Sequence, residues 1–123
     1  MKEKTMNQAK ASTLEQLKGR NLSAVTFVQD YLQLQFDGPF LNIFVWPRIM
    51  VSAKSIGFGM ADYRDELCSQ IGKTIGGVAM EADVSFRLYF TDGSIIEVTL
   101  LPKSRTGPES VVFQEGNGAF SVW

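Results

Sequence analysis

Apolar and polar side chains alternate strictly between positions 31 and 36, with Leu32, Leu34 and Phe36 on one face and Tyr31, Gln33 and Gln35 on the other. A period of two predicts a strand with one face buried. Positions 40–46 continue the pattern after Asp37-Gly38-Pro39. The register that sets Leu41, Ile43 and Val45 beside Phe36, Leu34 and Leu32 needs a four-residue loop. On the outer face it pairs Gln35 with Asn42, Gln33 with Phe44 and Tyr31 with Trp46. The alternation returns at 84–90 and 94–100, around Thr91-Asp92-Gly93, a three-residue hairpin loop with glycine in the left-handed position. That loop sets Ile96 and Val98 opposite Leu88 and Phe86. It also sets Arg87 against Glu97 on the outer face as a cross-strand ion pair.

The second pattern is a recurrence of the first. Gly19, Leu22, Val25 and Asp30 meet Gly72, Ile75, Val78 and Asp83 at one constant offset, and Leu32, Leu34 and Phe36 meet Phe86, Leu88 and Phe90 one position further on. The length changes fall between strands, where a loop absorbs them, as a duplicated structural unit requires. Ahead of the first copy, Ser12 or Thr13 caps a short helix that buries Leu14 and Leu17 and ends at Gly19. Ahead of the second, Asp62 caps a helix with Tyr63, Leu67 and Ile71 as its buried stripe, Met60 packing in as a staple and Gly72 ending it. Positions 22–28 do not alternate cleanly and their counterpart carries Gly76-Gly77, so a bulge is expected in both copies.

Positions 48–60 read as a connector. Positions 111–113 and 120–123 read as a last hairpin over Gly116-Asn117-Gly118, sealing the sheet edge or the open end of the core. The expected fold class is therefore α+β and mainly antiparallel: two α-βββ repeats in tandem plus a C-terminal β-hairpin, as a single sheet, two sheets or a partly closed barrel. A polar tail over 1–11, poorly ordered, would precede one domain over 12–123. That domain divides into repeat 1 (12–47), connector (48–60), repeat 2 (61–101) and closing hairpin (102–123).

Composition narrows the partners. The 123 residues, 45% hydrophobic and 20% charged, suit one soluble domain that buries a core without disulfides. The net charge of −1, from 12 basic and 13 acidic residues spread along the chain, leaves no basic stripe for a phosphate backbone, so nucleic acid is not an expected partner. The first residues lack the apolar core of a signal peptide and no later apolar run reaches the length of a membrane span, which predicts a cytoplasmic protein with no membrane partner. The single cysteine, Cys68, excludes an internal disulfide. The complete lack of histidine removes His-based acid/base catalysis, Ser-His and Cys-His nucleophile pairs and the usual zinc sites. No metal and no cofactor is expected.

Short motifs add little chemistry. Gly72-Lys73-Thr74 resembles the end of a phosphate-binding loop, but Leu67 replaces the motif's first glycine and the segment leaves a helix for a strand, the reverse of what such a loop needs. Asn21-Leu22-Ser23 matches a glycosylation acceptor without a secretory signal. Cys68 falls near the C-terminal end of its helix, where the dipole disfavours a thiolate, and reads as a core or flank cysteine. Asp37 with Asp92, or Asp30 with Asp83, would be paired carboxylates if the copies met, yet each occupies a place where a turn wants aspartate for its own backbone.

What remains is an asymmetry. The outer face of the second hairpin is Ser85, Arg87, Tyr89, Ile95, Glu97 and Thr99, which suits water; that of the first is Tyr31, Gln33, Gln35, Asn42, Phe44 and Trp46. Aromatic and amide side chains together resemble an interface, the alternative being that a helix of the same chain covers them. Phe58 and Met60 in the glycine-rich 57–60 segment, with Arg48 and Arg105 on flanking loops, would border the same surface. The candidate binding residues are thus Tyr31, Phe44, Trp46, Arg48, Phe58 and Arg105.

With Phe36-Asp37-Gly38 and Phe90-Thr91-Asp92-Gly93 placed in two hairpins, the chain resembles a set of short uncharacterised bacterial proteins, a domain of unknown function. They share repeated strand-turn-strand units, a tyrosine-bearing helix like that over 63–71, and a closing glycine-to-tryptophan strand like 118–123. Here that strand departs from the pattern, with Asn117-Gly118 and no nearby proline. The likeness extends to small immunity proteins that block a toxin by binding it, and implies a binding role with no catalytic residue. The resulting expectation is a non-enzymatic protein-interaction module of the bacterial cytosol, immunity-type or a homo-oligomeric accessory protein, with a protein partner or a second copy as its ligand. The alternative is a small-molecule binder or histidine-free enzyme whose pocket between the repeats holds an anion through Arg48 or Arg105.

Overall fold

The computed structural model describes residues 14–104, 107, 109–115 and 120–123, of residue 120 the backbone alone. The irregular 22–28 segment gives strand β1 (Ala24–Phe27) and the alternating segments give β2 (Leu32–Gln35) and β3 (Phe40–Ile43), followed by β4 (Arg48–Val51) and β5 (Lys54–Ile56). After helix α1 (Tyr63–Cys68) come β6 (Ile75–Glu81), β7 (Ser85–Phe90), β8 (Ile95–Thr99), β9 (Val111–Gln114) and β10 (Phe120–Val122). Short 3-10 turns occupy Glu15–Leu17 and Pro102–Ser104. The described residues are mostly antiparallel sheet, in two five-stranded sheets that do not close into a barrel.

Period-two burial explains the layering. Leu32, Leu34, Leu41, Ile43, Val111 and Phe113 point inward from one sheet, and Ile49, Phe86, Leu88, Ile96 and Val98 from the other, all fully buried in one hydrophobic cluster. Two sheets that share their inner faces form a sandwich. Removing each such side chain from water contributes about 1.5–3 kcal/mol.

The sheets are built by exchange. Strands β1, β2 and β3 run as a meander, but their sheet is completed by β9 and β10 from the far end of the chain; β6, β7 and β8 form the other meander, completed by β4 and β5. Each hairpin thus leaves the meander that precedes it for the opposite sheet. The 3-10 turn Glu15–Leu17 contacts β6, and α1 contacts β1.

The two halves also lock where their meanders begin. Gly19 N–H donates to Ile75 C=O (2.8 Å) and Gly72 N–H to Leu22 C=O (2.7 Å); Leu22 N–H donates to Lys73 C=O and Ile75 N–H to Arg20 C=O. Between these bonds Asn21 faces Thr74 in an isolated bridge, Thr74 Oγ1 donating to Asn21 Oδ1 at 2.7 Å across a separation of 53 residues. The bonds are related as if by a local two-fold axis passing between those two side chains.

The second hairpin has the expected register, with Phe86 opposite Val98, Leu88 opposite Ile96 and Arg87 opposite Glu97. Arg87 Nε lies 2.6 Å from Glu97 Oε2. The register of the first hairpin differs from expectation by two residues throughout: Leu32 faces Ile43, Gln33 faces Asn42, Leu34 faces Leu41 and Gln35 faces Phe40. The cause is a two-residue turn, Asp37 and Gly38 both at positive φ, closed by Phe36 N–H donating to Pro39 C=O. A slip of two keeps every side chain on its face, so hydrophobic pattern could not detect it.

Other expectations need correction. The connector over 48–60 is the β4–β5 hairpin, turning through Ser52 and Ala53 at φ 49 and 67 rather than through glycine. A bulge occurs between Ile75 and Gly77 but β1 pairs with β2 without one. Helix α1 stops at Cys68, so Ile71 is 45% exposed and Gln70 takes the buried place. Asp62 makes no side-chain cap and Met60 is exposed. The closing hairpin needs no correction: of its two expected places it takes the sheet edge, through β9 on β3. The expected tail, the caps Ser12 and Thr13, the turn Gly116-Asn117-Gly118 and Arg105 lie outside the described residues. Among the described residues no helix is long and apolar enough to cross a membrane.

Candidate binding site

Strand β3 ends at Ile43 because the chain must turn toward the other sheet, and Phe44, Val45 and Trp46 form that corner. Phe44 N–H donates to Ser110 C=O, which fixes the corner to the approach of β9. Pro47 is buried, and its carbonyl accepts a 2.6 Å hydrogen bond from the Tyr63 hydroxyl. Burial raises the Tyr63 pKa well above its ordinary value, so the hydroxyl stays a donor.

The corner carries the aromatic side chains. Tyr31 and Phe44 meet with ring centroids 5.3 Å apart. Trp46 stacks on Phe58 at 4.5 Å and 17°, and Phe58 in turn meets Tyr63 edge-on at 5.9 Å and 86°. Such arrangements are favoured by the ring quadrupoles. Tyr31, Phe44 and Trp46 are half-buried, neither covered by a helix nor free, and Trp46 also packs against the core. Phe58 is 59% exposed and Met60 49%, the two most exposed large apolar side chains of the described residues.

Two concavities flank this aromatic ladder. One, about 630 Å³, is lined by Gln29, Asp30, Phe44, Val45, Trp46 and Ser104. Its acidic wall is the tip of the β1–β2 hairpin, where Val28 N–H donates to Tyr31 C=O across Gln29 and Asp30. The other, about 230 Å³, runs along Phe58, Met60, Tyr63 and Arg64. The Arg64 guanidinium also lies over the Phe27 ring, 6.0 Å from its centroid.

Of the residues expected at the site, Tyr31, Phe44, Trp46 and Phe58 come together. Arg48 does not join the larger cleft: its Nε donates to Ser55 Oγ at 2.9 Å on the β4–β5 hairpin, and its guanidinium lies over Gly57. On the outer face of the other sheet, between β2 and β3, the amides expected beside the aromatics bond to one another, Gln35 to Gln33 and Gln33 to Asn42. Sequence reasoning missed Asp30 as a wall of the cleft because its role as a turn residue hid it.

A polar cluster elsewhere offers a chemical alternative. Ser94 Oγ lies 2.6 Å from Asp92 Oδ1 and 2.7 Å from Gln70 Oε1, and 3.4 Å from Lys73 Nζ. Serine beside lysine can act as nucleophile and base. Here Lys73 is engaged by Asp92 at 2.7 Å and Ser94 is 3% exposed, so the hydroxyl is shut away from substrate. The cluster clasps the Thr91-Asp92-Gly93 loop to the end of α1. Cys68 is exposed and stands apart from both arrangements.

A scan against protein-family models finds no match for the chain, and comparisons with curated proteins and with solved structures find none either.

Proposed function

We propose that the protein is a non-enzymatic interaction module whose contact surface is the aromatic corner of Tyr31, Phe44, Trp46 and Phe58. The observation that carries this reading is a control within the molecule. We take the two meanders, each led by its helical turn, as copies of one α-βββ unit in a chain of α+β type, a reading supported by the reciprocal bonds around Asn21 and Thr74. The positions corresponding to Tyr31, Phe44 and Trp46 are then Ser85, Thr99 and Leu101. Serine and threonine there complete a regular pair of β7 with β8. The fold is made without aromatics in one copy, so those of the other, apart from the part of Trp46 that packs on the core, answer to something besides folding. Clustered aromatics with an exposed apolar tip are the usual energetic centre of a protein interface.

The setting implied by the resemblance is the bacterial cytosol, with an immunity-type or accessory role. The competing anion pocket loses its support from Arg48, which is engaged at Ser55 away from the cleft.

A photo-crosslinking amino acid placed at Phe58, with an identical probe at Leu101 as the internal control, tests the reading in the source cells. We expect one discrete crosslinked species from position 58, lost when Phe44→Ala is added, and none from position 101. A species at twice the chain's mass assigns the face to a second copy; a different protein mass assigns it to a separate partner. Equal crosslinking at both positions, or none from either, overturns the assignment.

A further inference from the structure

We infer that the larger cleft receives a positively charged lysine side chain of the partner protein; this inference rests on the aromatic corner being the contact surface. Three properties of the cleft converge on that occupant. Its volume of about 630 Å³ leaves room for one long side chain together with the partner surface that carries it. Among its described lining residues are Phe44 and Trp46, whose rings are fixed by Tyr31 and Phe58 respectively. Aromatic rings attract cations through their negative faces, and rings already held in place lose little freedom when a cation arrives.

The third property is charge. Asp30 lines the cleft, and among the described residues it belongs to neither of the two ion pairs, Lys73 with Asp92 and Arg87 with Glu97. The described lining contains no lysine or arginine. Gln29 and Ser104 add a side-chain carbonyl and a hydroxyl, both able to accept from an ammonium's donors. An anion would meet a carboxylate and two aromatic side chains there, whereas an alkylammonium meets opposite charge at its head and apolar wall from Val45 and the rings along its stem.

The test is a titration of the isotopically labelled full chain, followed through the Trp46 indole N–H and the backbone amides of Gln29, Asp30, Phe44 and Ser104. The probe is Nα-acetyl-lysine N-methylamide. The control is the norleucine analogue, which keeps the stem and lacks the charge. Saturable shifts in the millimolar range are expected for the lysine probe, with the norleucine analogue about tenfold weaker. Asp30→Asn should weaken the lysine probe alone, and Phe44→Leu both; the amide spectrum of each variant away from the cleft reports that it is folded. Equal affinity for the charged and neutral probes, or no saturable shift with lysine, overturns the inference. If the crosslink from position 58 stands while lysine fails to bind, the contact surface is retained and only its cationic ligand is lost. If the crosslink fails, a lysine-specific shift would still show the cleft's preference.

Discussion

Asp92 answers to three neighbours at once: Lys73 Nζ at 2.7 Å, and the Ser94 hydroxyl and backbone N–H. The lysine first, then the serine, hold its carboxyl well below the usual aspartate range. A pKa lower in the folded than in the unfolded chain contributes stability that is complete above the unfolded value, near ~4, and is lost as pH falls toward the folded value. Asp92→Asn should therefore lower the thermal midpoint at neutral pH, and the gap to the parent should narrow as pH drops below about 4. A gap that stays constant would assign the loss to hydrogen bonding without charge. The core sets a larger scale: Phe36→Ala or Phe90→Ala should cost about 3–5 kcal/mol in urea unfolding. Tyr63→Phe, which leaves the Pro47 carbonyl without its donor, should cost about 1–3 kcal/mol. Phe58→Ala takes ring contacts from a side chain that is 59% exposed and should cost about 0.5–1.5 kcal/mol, well short of the core changes, which separates any loss of association from unfolding. Trp46→Ala cannot serve as that probe, because part of its ring packs on the core.

Among the elements, the β4–β5 hairpin carries an avoidable cost. Its turn residues Ser52 and Ala53 both stand at positive φ, where a Cβ is crowded and glycine or asparagine is preferred. Ala53→Gly should stabilise the protein by about 0.5–1 kcal/mol in denaturant unfolding, unlike a glycine placed within a strand. The same turn explains why this hairpin was not legible in the sequence: Ile49, Val51 and Ile56 carry apolar spacing, but Ser52-Ala53 gives no turn signal between them. The second meander was legible down to its ion pair because Thr91-Asp92-Gly93 admits one loop type. The first was legible in its faces and not in its register, since a shift of two residues exchanges one inward neighbour for another. Helix α1 was legible at Tyr63 and Leu67, and misread beyond Cys68, where spacing alone assumed that the helix continued to Ile71. For the site, the aromatic corner could be found from the contrast between the copies; the cleft beside it could not, because the tip of one hairpin and the 3-10 turn at Pro102–Ser104 meet only in three dimensions.

At the scale of the molecule, completing each sheet takes strands from both halves. Fragments 1–60 and 61–123 should each lack a cooperative unfolding transition alone and regain one when mixed, with recovery of the parent's near-ultraviolet spectrum as the measure. A fragment that folds by itself would show that its own meander suffices without the borrowed hairpin. Pairings so distant in sequence delay the return of chain-closure entropy, so refolding should be slow for a chain of this size. The exchange also bears on the order of synthesis. While a ribosome is still making the second meander, β3 has left the tunnel with its outer edge bare, waiting for β9, which is translated only after β6, β7 and β8. Neighbouring nascent chains on one messenger present the same vacant edge and, soon after, the same β4–β5 hairpin in search of a β8. Crowded translation therefore favours entangled pairs of chains over single ones, and slow initiation, which spaces the ribosomes, should raise the yield of monomer.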